Sequence, residues 1–408
     1  MKSLGVTGMA LLLCVNAAHA ATLSISASPA SVASGAASTL TWNSSGATSC
    51  DASGAWSGRQ AISGARVISA FTTDSTFTLT CSGPTGSATQ SVTVAVSPPQ
   101  ASRVFALMDV GDSAAMLDSF AARVTVDGLA FRTSWKALEP QNGVYDWTAL
   151  DAAFDTVRTR GKQLTLHVGA SSLGIPNWVA GLGVVTYTYT TPTGATVTEP
   201  IPWDAIFLSR YTQFLAALAA HIQTRGDTSL LYAVSDGVPV AEMSIVGCRN
   251  SVLSGGTAYS RANYLNAWKT TLDAHAASFV QTRLLISAPI AVICIPDNDG
   301  KAFYTEVMNH AFTKSANAAV FAADLNALGS ARLVQVDASI RSRAAVAFQT
   351  IWSSTNDTQN RMQGTLNDAV CKGIASGARY FEIYKVDISS LDTAIQDAIQ
   401  RARAGKVC

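Results

Sequence analysis

The stretch from Leu129 to Val168 fixes the class of fold more firmly than any other part of the chain. Leu129-Ala130-Phe131-Arg132-Thr133 is a short apolar run of the kind that becomes a strand covered on both faces. The loop W-K-A-L-E-P-Q-N-G-V-Y-D-W runs from Trp135 to Trp147. Leu150, Phe154 and Val157 then recur at helical spacing until Gly161 breaks the pattern, and Gln163 to Val168 reads as a second strand. A strand, a loop, an amphipathic helix and another strand make a βαβ unit, whose strands are parallel. In parallel α/β architectures the loops at the C-terminal ends of strands carry the chemistry. Arg132, Trp135 and Glu139 are therefore offered at the functional end.

The same alternation continues to the C-terminus. Candidate strands are Val104 to Val110, Leu129 to Thr133, Gln163 to Val168, Leu231 to Ser235, Arg283 to Ala288, Arg332 to Asp337, Ala345 to Ile351 and Tyr380 to Tyr384. Amphipathic stretches separate most of them. In one, Tyr211, Phe214, Leu215, Leu218 and Ile222 form a single stripe. Eight strands in about 300 residues match the size and period of a (β/α)8 barrel. A doubly wound sheet is the alternative fold, but no G-x-G-x-x-G follows a strand to support its nucleotide-binding versions. Val184 to Tyr189 and Thr196 to Thr198 look like a β-hairpin inserted at the active face.

The N-terminal region reads differently. Lys2, the apolar run Met9 to Val15 and the small-residue site Ala18-His19-Ala20 predict a signal peptide over 1–20, and with it a secreted protein, extracellular or periplasmic. From 21 to 97 the chain is rich in Ser, Thr, Ala and Gly. Thr22 to Ser26, Ser38 to Trp42, Ala65 to Ala70, Thr76 to Cys81 and Gln90 to Val96 read as strands. T-L-T-W-N-S-S-G-A-T-S-C and T-F-T-L-T-C-S-G-P-T-G-S-A resemble the small immunoglobulin-like sandwiches of bacterial proteins, modules often fused to secreted enzymes. Cys50 sits well past Trp42, which sets the arrangement apart from the antibody type. Carbohydrate binding and a plain spacer are both open for this module, with Trp56 its single hint of a ligand platform. Residues 98–102, containing Pro98-Pro99-Gln100, read as a short stiff linker, and 103–408 as the barrel.

Without Cys14, which falls in the signal peptide, six cysteines remain, an even number that favours disulfides in an exported chain. Their pairing is open among fifteen arrangements. Position within each domain suggests Cys50 with Cys81, Cys248 with Cys294, and Cys371 with Cys408. There are 28 basic and 27 acidic residues, a balance that gives no reason to expect nucleic acid as a partner. No apolar run reaches the length of a membrane span. No C-x-x-C or H-x-x-x-H spacing suggests a metal, no G-x-S-x-G elbow an acyl-transfer nucleophile, and no phosphate loop a nucleotide. A monomer without cofactor or metal is the expectation.

Arg132 to Trp147, then G-K-Q-L-T-L-H-V-G-A from Gly161, then Ile175-Pro176-Asn177-Trp178, resemble the front half of a barrel glycoside hydrolase. The likeness is to the β-galactosidase-like and cellulase-like families of the large retaining clan, and it runs over 103–245. It implies an enzyme cleaving O-glycosidic bonds of a poly- or oligosaccharide with two carboxyl groups. An aromatic ring beside a cation and a carboxylate also suits a sugar, whose apolar faces stack and whose hydroxyls bond the charged groups.

The chain has only five glutamates: Glu139, Glu199, Glu242, Glu306 and Glu382. The resemblance implies that Glu139 holds its own loop. Glu199 and Glu306 are expected in solvent. Glu242 follows the fourth strand, where the clan carries its general acid/base, although Ala241 stands in place of the usual Asn. Glu382 lies in Tyr380-Phe381-Glu382-Ile383-Tyr384 and should face the barrel interior, since a carboxylate turned toward apolar helices is costly. It is the candidate nucleophile or base. The clan's nucleophile ends strand seven, however, and the seventh candidate strand here carries Gln349. One strand is miscounted, the nucleophile has moved, or the barrel is not a standard retaining glycosidase. Candidate substrate contacts are Asp109, Arg132, Trp135, His167, Trp178, Gln349 and Tyr384. Asp112, Asp236, Asp337 and Asp387 lie at strand ends nearby, and Trp203 and Trp352 in neighbouring loops. An inward structural role for Glu382, paired with Arg132, is the competing reading, and a barrel that binds carbohydrate without cleaving it is the alternative function.

Overall fold

The computed structural model describes residues 20–33, 37–69, 71–97, 102–170, 174–190, 196–235, 260–288 and 300–405. The chain divides between Pro98 and Pro99 into two compact units.

The first unit is all β. Its strands are β1 (Thr22–Ser28), β2 (Ser31–Ala33), β3 (Ser38–Ser45), β4 (Ser49–Gly54), β5 (Gly58–Gln60), β6 (Ser63–Ile68), β7 (Ser75–Gly83) and β8 (Gly86–Ser97). They form two sheets, β1-β3-β6 and β2-β8-β7-β4-β5. Leu40, Trp42, Phe77, Leu79 and Val94 alternate inward to make the core. Trp56 is not a platform. It is buried, packs edge-on against Trp42 with ring centroids 5.3 Å apart, and donates its indole N–H to the Thr78 carbonyl at 2.9 Å. Cys50 and Cys81 are register partners on β4 and β7 and are disulfide-bonded. Strand β4 was invisible in the sequence because S-C-D-A-S-G has no β-branched or large apolar residue. Pairing with β7 makes it a strand.

The second unit is a closed eight-stranded barrel. Its strands are β9 (Arg103–Leu107), β10 (Gly128–Ser134), β11 (Gln163–Gly169), β14 (Leu231–Ser235), β15 (Arg283–Ser287), β16 (Ala318–Leu325), β17 (Ala345–Thr350) and β18 (Ala378–Tyr384). Neighbours pair in parallel, and β18 closes on β9. The hairpin β12 (Thr186–Thr190) and β13 (Thr196–Pro200) is inserted after β11. Asp204 ties it down, accepting from the Val185 amide at 3.1 Å while capping the helix Ala205–Thr224 through the Phe207 amide at 2.9 Å.

The barrel interior alternates small and large side chains. Ala130, Ala233, Ala319 and Ala347 leave room for Phe105, Phe321 and Tyr380. A larger core lies between the strands and the helices. One anticipated strand is absent. Arg332 to Asp337 forms the end of one short helix, Ala331–Val334, and the cap of another, Ala338–Arg341. Ser330 caps the first of these by accepting from Leu333 N, so the local alternation of R-L-V-Q-V-D is overridden. The sixth strand is β16, whose A-A-V-F-A-A run has no alternation because most of it is buried on both faces. Asp337 therefore ends no strand. It caps a surface helix, accepting from Ser339, which holds its carboxyl at about 2.

Among the described residues no helix is long and apolar enough to cross a membrane.

Candidate active site

Strand β18 places Glu382 by simple alternation. Phe381 and Ile383 pack into the core beneath the helices, while Tyr380 and Tyr384 pack with the barrel interior. Glu382, between them, is fully buried. Its Oε1 accepts two short hydrogen bonds, from the Tyr380 hydroxyl at 2.5 Å and from His167 Nε2 at 2.6 Å. Among the described residues its Oε2 has no hydrogen-bond partner. Burial lifts the Tyr380 pKa well above that of an ordinary tyrosine, and the adjacent Glu382 charge lifts it further. Tyr380 is thus a fixed donor across the working pH range. Its ring stacks on Tyr232 at 5.6 Å and leans on Phe105 at 5.0 Å, forming an aromatic floor under the carboxylate.

At the rim, four charges form a chain across the ends of β9, β10 and β18. Arg132 donates to the Met108 carbonyl and to Asp109 Oδ1, both at 2.7 Å. Lys385 bridges Asp109 Oδ2 at 2.8 Å and Asp112 Oδ1 at 2.5 Å. Asp112 accepts in turn from the Asp109 amide at 2.8 Å. Arg132 is consequently the partner of Asp109 and not of Glu382. Tyr384, two residues beyond Glu382 on β18, is half-buried, and its ring lies 5.6 Å from that of Trp352. Burial raises its pKa against the opposing pull of Arg132 and Arg361. Gln349 on β17 is the register partner of Glu382.

Other anticipated residues have different duties. Trp135 is fully buried, packed against Phe207, Tyr211, Phe214 and Trp178, so its ring belongs to the core and cannot stack on a sugar. Position at a strand's end told where the residue sits but not that the helix Ala205–Thr224 covers it. Trp178 is half-buried on that cluster, lies under the Arg210 guanidinium at 5.2 Å and donates to the Glu139 carbonyl at 3.0 Å. Glu139 anchors its loop. It accepts from Trp135 Nε1 at 2.7 Å and from the Gly143 amide at 2.8 Å, with Arg210 at 3.3 Å. Glu199 is not solvated. It is buried in the hairpin and accepts from the Tyr187 hydroxyl at 2.8 Å. Glu306 pairs with Arg261 at 2.6 Å. Asp387 is fully buried and holds the loop after β17. Glu242, Asp236, Cys248, Cys294 and Cys408 lie outside the described residues. Cys371 is disulfide-bonded.

Site residues that escaped the sequence reading include Tyr232 in the floor, Lys385 in the rim and Arg361 near it. Tyr232 could have been found by carrying the in-out alternation through β14, whereas Arg361 sits in a loop with no periodicity. A separate cavity of about 340 Å³ lies outside the barrel and is lined by Leu117, Thr133, Leu138 and Asp146 among others. It touches neither Glu382 nor His167.

Residues 122–182 match a family model, Glyco_hydro_42, described as β-galactosidase. The matched segment carries β10, the L-E-P loop, the helix Thr148–Thr159, β11 and Trp178. No curated protein matches the chain. Among solved structures, a family 39 glycoside hydrolase from the gut symbiont Bacteroides cellulosilyticus WH2 aligns with a TM-score of 0.42 and 12% identity, over 86% of this chain and 73% of that one. An exo-β-1,4-mannosidase from Opitutaceae bacterium strain TAV5 aligns with a TM-score of 0.47 and 13% identity, over 75% of this chain and 60% of that one. An intracellular xylanase from Thermoanaerobacterium saccharolyticum JW/SL-YS485 aligns with a TM-score of 0.45 and 11% identity, over 72% of this chain and 89% of that one. At such identities, residue roles rest on the geometry of this chain itself.

Proposed function

We propose that this protein is a secreted glycoside hydrolase that cleaves O-glycosidic bonds of a poly- or oligosaccharide, with Glu382 as nucleophile or base and Glu242 as general acid. One observation supports the reading most: Glu382 has one oxygen held by Tyr380 and His167 and the other without a partner among the described residues. Tyr380 and His167 offset part of the cost of burying the charge and fix the carboxylate's orientation, and the buried Oε2 is the oxygen left to act on an anomeric carbon or a water once substrate opens a path to it. The inner face of β18, the β-galactosidase-type segment over 122–182 and the rim of ionic side chains around Arg132 are consistent with a sugar cleft at this end of the barrel. A carboxyl separation of about 5–5.5 Å would make the enzyme retaining, and about 6.5–9.5 Å inverting.

Turnover should be measured on a panel of plant and microbial glycans for the unmutated chain and for Glu382→Gln and Glu242→Gln. Each substitution should lower kcat by at least about a thousandfold with the fold retained. The anomer released first, read by proton NMR, gives the stereochemistry.

A second reading has an observation of its own. Gln349 occupies strand seven, where the retaining clan carries its nucleophile, and an amide cannot attack an anomeric carbon. A barrel that binds glycans without cleaving them follows if the unmutated chain binds the panel and turns over none of it.

A further inference from the structure

The loop between β17 and the helix Leu366–Ala375 carries a cation, Arg361, that has no anionic partner among the described residues. Asp387 holds the start of this loop, accepting from the Ser354 and Thr355 amides, both at 2.8 Å, and from the hydroxyls of Ser353 at 2.9 Å and Thr355 at 2.7 Å. Asp357 holds the middle, accepting from the Arg361 amide at 2.7 Å and the Met362 amide at 2.6 Å. Both carboxylates are thus engaged by the loop itself, and the backbone at Arg361 is fixed. The Arg361 guanidinium carbon stands 4.4 Å from the centroid of Trp352. The Trp352 ring lies 5.6 Å from Tyr384, which shares the inner side of β18 with Glu382.

The neighbouring cations are spent. Arg132 and Lys385 are neutralised by Asp109 and Asp112. Among the described residues the Arg361 guanidinium makes no hydrogen bond or ion pair. Stacking engages only the flat face of a guanidinium, so its N–H groups stay free in the plane, set for the fork that matches a carboxylate. Beyond its contact with Trp352, this charge at the rim of the barrel end that holds Glu382 has no partner among the described residues.

We propose that Arg361 is a specificity-determining residue that binds the carboxylate of a uronic-acid unit, so that the glycan taken by this barrel is acidic. This rests on the glycoside hydrolase reading for the nature of the ligand, and on the Arg361–Trp352–Tyr384 contacts for its charge.

The test uses the full chain carrying Glu382→Gln, so that ligand is not consumed. Binding is measured calorimetrically for oligosaccharides bearing glucuronate or galacturonate, for the same oligosaccharides after carboxyl reduction, and for sulfated neutral counterparts. The acidic ligands should bind at least about tenfold more tightly than their reduced forms, as a charge-assisted fork requires. Adding Arg361→Gln should abolish that preference, and raising the salt should narrow it. Equal binding of acidic and reduced forms, no binding of either, equal or tighter binding of the sulfated ligands, or a preference that survives Arg361→Gln would each overturn the proposal. The comparison of acidic with reduced ligand on one chain stands even if Arg361→Gln folds poorly. Turnover by the unmutated chain is a separate readout. Cleavage of neutral glycans without acidic preference removes this inference and leaves the hydrolase, whereas acidic preference without cleavage does the reverse.

Discussion

Glu382 occupies a position that the fold would not choose for stability alone. Among the described residues one oxygen of this buried carboxylate is unpartnered, which costs on the order of 1–3 kcal/mol relative to a satisfied group. Exchange for a neutral amide of the same shape removes the charge while keeping an acceptor for Tyr380 and His167. Glu382→Gln should therefore raise the unfolding free energy by about 1 kcal/mol while abolishing turnover, the opposing pattern found where function is held at the expense of stability. A denaturant titration showing lower stability would mean that the charge is structural. Tyr380 gives a second prediction at this scale. Its pKa is raised in the fold above the ordinary value of 10.0. Above that pH the unfolded chain loses a proton that the folded chain keeps, so this contribution is full below about pH 10 and declines as pH rises beyond it. The thermal midpoint of Tyr380→Phe should fall less steeply between about pH 10 and 11 than that of the unmutated chain.

At the scale of elements, the L-E-P loop is a strand-to-helix connection built around one buried carboxylate. Glu139 joins the indole of Trp135, the amide of Gly143 and the guanidinium of Arg210, which ties the loop to the helix Ala205–Thr224. Gly143 has φ +76, a left-handed value that suits glycine at this N-G turn. Removing the carboxylate leaves the buried Trp135 indole and the Gly143 amide without their acceptor and takes the counter-charge from half-buried Arg210, which keeps only the neutral acceptors Asn142 and Gln213. Glu139→Ala should cost about 3–5 kcal/mol, with turnover per folded molecule unchanged. Urea titration and active-fraction measurement check both halves. Loss of kcat at full stability would instead put Glu139 in the chemistry.

At the scale of the whole molecule, the two units have separate apolar cores. One is built around Leu40, Trp42 and Phe77, and the other surrounds the barrel strands. The Cys50–Cys81 bond, closing a separation of 31 residues, constrains only the first. In the chain-entropy picture a loop of that size is worth about 3–4 kcal/mol. The double substitution Cys50→Ser and Cys81→Ser should lower one calorimetric transition and leave the barrel's in place. A shift of both transitions would mean that the units unfold together.

How far the sequence reached follows from what periodicity encodes. The in-out alternation of β18 was legible, because neighbouring residues alone decide it, and it turned Glu382 inward. The pairing of Cys50 with Cys81 followed from position within a small domain. Eight strands and a closed barrel followed from repeating apolar runs, although β16 was misplaced since a run buried on both faces has no alternation to read.

Local pattern reports which side of an element is apolar, and nothing about what will cover it. By itself the sequence determined the order of elements and their inner and outer faces, since both arise from the fixed geometry of strand and helix. Only the tertiary structure decided that Trp135 is walled in, that Arg132 answers to Asp109, and that His167 meets Glu382 across 215 residues of chain. Those meetings depend on how the barrel closes, which sets distances between residues that share no local signal.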